Sequence, residues 1–424
     1  MGDRRSFVRN LAGGAAASAM ASLGAARSAF AEALERVAKP RDGQGFQELR
    51  GAYLLGSDVL YFNHASIGTI PRAVHEARVR YLELCESNPH LYMWGEPWQA
   101  PKEEVRRKGA ALLGCAAEEV AITHNTTEGF SLLAQGLPLG PGDEVLFSSL
   151  NHSGASVGWQ HHGARRGYSV RRFPFPILDL PGMSAQDVVD AYVAEIRPET
   201  RVLVFPHVDN IVGLRYPVRA LADAARAKGV EFVAVDAAQS VGMIPVDVTA
   251  MGIDFLATSP HKWVQAPKGL GMLYARRTAQ EHLSPMWISS GQARNRGTAG
   301  IYDDYGTRNL AEVLALGDAI DFQQRLGAES KEARHRAVWR RMRDAVESSP
   351  RLTWHSSRDW TLSCALYGIG VDGQSSADLS NRLFREHGLV FRPFHTQGLE
   401  SMRISPNVNT SDAEIAKFLE LAGA

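Results

Sequence analysis

The chain predicts an α/β protein with two parts: a large domain on a mostly parallel sheet sandwiched by helices, then a smaller C-terminal α+β domain. Short apolar runs bounded by polar loops alternate with helical patterns from about residue 59 to residue 275. Two of these runs, Val202-Leu203-Val204-Phe205 and Phe232-Val233-Ala234-Val235, are apolar throughout, as buried strands are. Beyond a glycine- and arginine-rich stretch at residues 291–308, long helical segments dominate with few strands between them. The 424 residues exceed one ordinary domain, and 45% hydrophobic with 22% charged residues is normal for a globular protein. Forty-six basic residues balance 46 acidic ones, and none form long blocks, so the footprint of a nucleic-acid binder is missing.

Taken in order, residues 1–31 read as a twin-arginine signal peptide. Asp3-Arg4-Arg5-Ser6-Phe7-Val8 precedes an alanine- and glycine-rich run at 10–26 and the cleavage pattern Ala29-Phe30-Ala31. The run holds only two leucines and lacks Ile, Val and Phe, which is too weak for stable membrane insertion. Cleavage after Ala31 leaves 42 basic and 45 acidic residues. This predicts a periplasmic protein, exported already folded by the twin-arginine machinery; a disordered or amphipathic arm is the alternative. Residues 32–58 form an arm and linker, broken by Lys39-Pro40-Arg41-Asp42-Gly43. The large domain spans 59–308 and the small one 309–424.

In the large domain, residues 59–62 lead into the loop Asn63-His64-Ala65-Ser66-Ile67-Gly68, which either touches a ligand or caps the helix starting near Arg72. A helix is predicted over 101–113, a strand over 120–123 and a helix from Thr126 to about Ala134, ended by Gly136. Strands follow at 144–147, 168–173, 202–205, 232–235, 255–258 and 272–274, with helices at 184–196 and 218–227. In the small domain a helix covers 310–326 and strands cover 364–369 and 401–405.

Three features carry chemistry. Thr126 and Thr127 fall at a helix N-terminus, where free N–H groups, hydroxyls and the macrodipole bind anions such as phosphate; ordinary capping is the plainer alternative. Asp236 ends a buried strand, and a buried carboxylate needs a cation or strong hydrogen bonds. Lys262, in Thr258-Ser259-Pro260-His261-Lys262-Trp263, sits between a strand end and a glycine-rich turn. A deprotonated lysine there can attack an aldehyde to give an imine, whereas a lysine at a strand end is ordinarily just solvated. An anion site, a buried carboxylate and a lysine together form a kit for pyridoxal phosphate, whose ring must be protonated to act as an electron sink. The three cysteines, Cys85, Cys115 and Cys364, have unrelated spacings and form no metal-like cluster.

With Asp236-Ala237-Ala238-Gln239 followed by Thr258-Ser259-x-His261-Lys262, the chain resembles the class V aminotransferase family, of the fold-type I pyridoxal-phosphate enzymes, from about Tyr61 to Ile415. The resemblance implies that Lys262 is the covalent anchor and that Asp236 pairs with the ring nitrogen. Gln239 and Asn210 would reach the ring's phenolate oxygen and His152 would stack on the ring. It also implies Thr126, Thr127, Ser259 and His261 as phosphate ligands. Thr307 matches a position that reaches the phosphate of a neighbouring subunit, which implies a homodimer. Arg403 matches the arginine that grips a substrate carboxylate, with an intradomain ion pair as the alternative; Arg392, Asn63 and His64 are further candidates on the substrate side.

Asn63-His-x-Ser-x-Gly and Asn88-Pro89 with Trp94 are similar to the isopenicillin N epimerase-like branch, and the layout is similar to a periplasmic enzyme that tailors a siderophore, pyoverdine. Desulfurases of the family use a cysteine on a mobile loop, whereas Cys364 lies in an apolar, strand-like run. Asp209 stands where many relatives have a small polar residue. The expected function is amino-group chemistry at the α-carbon of an amino acid, a derivative or a peptide. Transamination comes first, epimerisation second and a lyase third. A cofactor-binding scaffold without turnover, or a sugar-metabolism enzyme whose lysine is structural, is the alternative of another class.

Overall fold

The computed structural model describes residues 4–37, 39–40, 45–94 and 99–423. Asp3 and the breaker residues Arg41, Asp42 and Gly43 lie outside them. The chain opens with helix α1 (Arg4–Glu35), the short strand β1 (Leu60–Tyr61), and helices α2 (Arg72–Ser87), α3 (Pro89–Trp94) and α4 (Gln99–Leu113). Then come β2 (Val120–Thr123), α5 (Thr126–Gly136), β3 (Glu144–Ser148), α6 (Val157–Arg166), β4 (Ser169–Phe173), α7 (Ala185–Val193) and β5 (Thr200–Pro206). Next are α8 (Val218–Ala227), β6 (Phe232–Asp236), α9 (Val248–Met251), β7 (Phe255–Thr258) and β8 (Gly271–Ala275). The C-terminal part holds α10 (Leu310–Leu326), α11 (Ala328–Ser348), β9 (Leu352–Trp354), β10 (Tyr367–Val371), α12 (Ser376–His387), β11 (Leu389–Val390), β12 (Arg392–Thr396), β13 (Leu399–Ile404) and α13 (Asp412–Ala422).

The seven-stranded sheet has the order β2-β8-β7-β6-β5-β3-β4. Its central pairs are parallel and only β8 runs against its neighbours. Every residue of β3, β6 and β7 is buried, because helices cover both faces and no strand face meets water. One apolar layer contains Val233, Val235 and Leu203 with residues of α2, α4 and α10; the other contains Val202, Val204 and Ala234 with Phe130 and Trp159. Successive strand side chains thus feed opposite layers. Gly129 lets α5 lie close on β7, since a Cβ there would come within 2.7 Å of the Ala257 Cβ.

A second sheet, antiparallel, has the order β12-β13-β10-β9 and packs its own core with α11, α12 and α13. Some details differ from the sequence expectation. Helix α10 packs on α2 and α4, and its buried Leu314, Ile320 and Phe322 belong to the first apolar layer, so a boundary at 308 falls before a helix of the large domain. Conversely, β1 pairs in parallel with β11, and Phe62 lies in the C-terminal core. Cys364 precedes its predicted strand, which begins at Tyr367.

Helix α1 runs without a break across Ala31. Leu23, Ala26 and Phe30 lie on one helical face and are buried against the first layer. No helix among the described residues is long and apolar enough to cross a membrane.

Candidate active site

The carboxyl ends of β6 and β7 open into a cavity of about 620 Å³, whose wall also takes residues from α5, the 65–66 loop and the small-domain strands β12 and β13. Ligands of open α/β sheets gather at such strand ends. The cavity brings together Thr126, Thr127, His152, Asn210, Asp236, Gln239, Ser259, His261, Lys262, Arg392 and Arg403, eleven of the fourteen residues singled out above.

Lys262 lies in a tight turn after β7, where its N–H donates to the Ser259 carbonyl at 3.1 Å. The 63–68 loop lies directly on this turn: Gly68 N–H donates to the His261 carbonyl at 2.8 Å, and a Cβ on Gly68 would stand 1.9 Å from the Lys262 carbonyl oxygen. Only glycine fits there. Burial pulls the Lys262 amine down to about 8, although the Asp236 carboxylate works in the opposite direction. Asp236 itself is 5% exposed, accepts one hydrogen bond, from Ala238 N–H at 3.0 Å, and forms no ion pair among the described residues. Its position calls for a cation.

At the other end, Asn125 supplies the cap of α5, accepting from Glu128 N–H at 2.9 Å. Thr126 and Thr127 are therefore not needed as caps. Thr126 N–H donates to Ser259 Oγ at 3.0 Å and the two hydroxyls meet at 2.8 Å, while Thr127 N–H has no acceptor among the described residues. The His261 ring is held neutral, at about 4, first by burial and then by nearby Lys262, and its buried Nδ1 is unpartnered. Free donors at a helix N-terminus suit an anion. His152 is fixed by its neighbour, its Nδ1 accepting from Gly154 N–H at 3.1 Å.

Gln239 has one permitted orientation. Its Oε1 accepts from the Trp263 indole N–H at 2.8 Å and its Nε2 donates to the Ala65 carbonyl at 3.0 Å. An indole N–H only donates and a carbonyl only accepts, so the amide cannot flip. The second Nε2 hydrogen remains for the cavity.

Arg403, on β13, is 3% exposed. Its Nη1 donates to the Asn210 carbonyl at 3.0 Å and its Nη2 to Asn63 Oδ1 at 2.7 Å and to Ser66 Oγ. The Nε is buried without a partner, and no carboxylate among the described residues pairs with this guanidinium. The intradomain ion pair weighed above is thus not formed among the described residues. Burial, and then the charge of Arg392, pulls Arg403 down to about 9.

Three candidates lie outside the cavity wall. Asn63 acts through Arg403. His64 is fully buried, with Nδ1 3.2 Å from the Ser405 carbonyl and its pKa lowered by burial to about 4; it packs behind the loop and does not line the substrate side. Thr307 is exposed, away from the cavity of its own chain. The loop before α2 does not cap that helix, whose N-cap is Pro71; it braces Lys262 and Arg403 instead.

Sequence reasoning left Ser66, Phe394, Trp263 and the role of Asp209 unassigned. Asp209 is fully buried and accepts from Ile211, Val212 and Leu214 N–H, organising the turn that presents Asn210. Three acceptor contacts two to five residues ahead mark an Asx-type turn, a signal readable from an aspartate after a buried strand. Cys364 is fully buried beside the Gly213 and Leu366 carbonyls, and burial pushes its thiol up to about 12.

The family model for aminotransferase class-V matches residues 60–403. An isopenicillin N epimerase from Streptomyces clavuligerus is 29% identical over 398 residues, covering 89% of this chain and 98% of that protein. A cysteine desulfurase from Klebsiella pneumoniae subsp. pneumoniae is 31% identical, covering 70% of this chain and 75% of that protein. Among solved structures, a C-DES mutant with glycine covalently linked to its PLP cofactor superposes with a TM-score of 0.77 at 22% identity, covering 88% of this chain and 98% of that one. A cysteine desulfurase from Escherichia coli gives 0.76 at 24% identity, covering 89% and 97%.

Proposed function

Because the chain belongs to the aminotransferase class-V family, we propose that it is a pyridoxal-phosphate enzyme that transfers the α-amino group of an amino acid or an amino-acid-derived substrate. The observation that carries this is the meeting, in one cavity, of a lysine lowered to about 8, a buried carboxylate lacking a cation and a helix N-terminus with a free donor. These three fit the aldehyde, the ring nitrogen and the phosphate of one molecule. Bound there, the cofactor supplies an electron sink for the pair left at the α-carbon.

This chain's residues do the rest. Thr126, Thr127, Ser259 and His261 hold the phosphate, and Asp236 keeps the ring nitrogen protonated. Gln239 and Asn210 serve the ring oxygen, and His152 packs over the ring. Lys262 would hold the cofactor's aldehyde and would carry a proton to and from the α-carbon. Arg403 receives the substrate carboxylate through its planar fork. Thr307, exposed on its loop, serves the phosphate of a second copy in a homodimer. The twin-arginine motif of residues 1–31 directs the folded protein to the periplasm.

Epimerisation is the second reading, favoured by the near full-length match to an isopenicillin N epimerase. Persulfide chemistry is disfavoured: Cys85 and Cys364 are buried, and the thiols of Cys115 and Cys364 are both raised to about 12, foremost by burial.

Incubation of the loaded protein with amino acids in deuterated water separates the outcomes. Transamination gives a 2-oxo acid, limited to one equivalent per site unless an acceptor oxo acid is added. Deuterium at the α-carbon with loss of optical purity and no oxo acid would mark an epimerase instead.

A further inference from the structure

Strands β12 and β13 pair so that Arg392 and Arg403 stand directly opposite each other. Directly opposed residues share a face, and like charges so placed repel. Phe394, two residues along β12, lies on the same face, with the Arg392 guanidinium carbon 5.8 Å and that of Arg403 5.4 Å from its ring centre. All three line the cavity.

The two guanidiniums differ in depth. Arg403 is buried and its two terminal nitrogens are tied to Asn210, Asn63 and Ser66, whereas Arg392 is exposed, lies beside the Phe394 ring and makes no hydrogen bond or ion pair through its side chain among the described residues. Neither has a carboxylate partner among the described residues. An unpaired cation at the floor and another at the rim, beside one aromatic ring, suit two separate anionic groups.

We propose that the substrate is an amino acid with a second anionic group on its side chain, its α-carboxylate held by Arg403 and the side-chain carboxylate by Arg392. This rests on the reading of the site given above. Arg392 is then a specificity-determining residue, and a bound dianion removes the repulsion that the opposed pair builds into the empty strands.

The test is calorimetric titration of the full-length protein, with and without added pyridoxal phosphate, using glutarate and butyrate as unreactive probes. Glutarate should bind at least tenfold more tightly than butyrate. Arg392→Gln, at an exposed position, should abolish that preference by weakening glutarate far more than butyrate, while Arg403→Gln should weaken both. Equal affinities, or an Arg392→Gln loss shared equally by the two probes, would overturn the proposal. Failure to acquire a cofactor absorbance would sink the cofactor reading alone, since the carboxylate preference is read in either state.

Discussion

Lys262 depends on its surroundings for its chemistry. A free lysine at pH 7 is almost entirely protonated, and lowering its pKa to about 8 raises the neutral fraction roughly 300-fold. The cost falls on stability: the folded pKa lies below the unfolded one, so the destabilisation is full below about pH 8 and is relieved as pH rises toward 10.5. The rate at which pyridoxal phosphate attaches to apo-protein should therefore rise with pH and level off above about 8. Stopped-flow absorbance at saturating cofactor measures this, and a rate still climbing tenfold per unit at pH 9.5 would contradict it. That Lys262, Asp236 and Gln239 would lie in one cavity was legible because their motifs are local. Trp263 was not assigned, because its role appears only with a partner: the indole locks an amide 24 residues away. Asp209 was missed although its turn is local, the carboxylate accepting from N–H groups just ahead of it.

At the scale of elements, apolar runs revealed the strands, but antiparallel β8 could not be told from its parallel neighbours, since burial on both faces erases alternation. The N-terminal segment is the larger difference. No proline interrupts residues 4–35, and alanine favours helix, so α1 continues past the cleavage pattern. Arg27 pairs with Glu104 at 2.8 Å and Glu35 with Arg325 at 3.0 Å, tying the helix to α4 and α10. Cleavage after Ala31 then requires α1 to leave its groove. If the helix is part of the folded protein, Phe30→Ala should cost about 3–5 kcal/mol, as large buried aromatics do. Thermal unfolding of the full chain would show a melting temperature lowered by several degrees; an unchanged value would mean that the helix is not packed.

At the scale of the molecule, the site exists only where distant segments meet. Ser405 N–H donates to the Phe62 carbonyl at 2.8 Å, threading the N-terminal loop into the small domain. Behind the lysine turn, Tyr53 donates to Gln265 at 2.7 Å, Gln323 to Gln265 at 3.1 Å and Lys331 to Gln323 at 2.8 Å. This buried chain fixes the linker, the turn and the helices α10 and α11 together. The order of motifs along the sequence foretold the fold, but not that Asn63 and Arg403, 340 residues apart, would share a hydrogen bond.

Whether Lys262 anchors pyridoxal phosphate is decided by borohydride reduction of the loaded protein followed by peptide mass spectrometry. Reduction should yield one modified peptide, carrying the reduced cofactor on Lys262, and none in Lys262→Ala. A modification spread over other lysines, or a wild-type protein left unlabelled with excess cofactor, would contradict it.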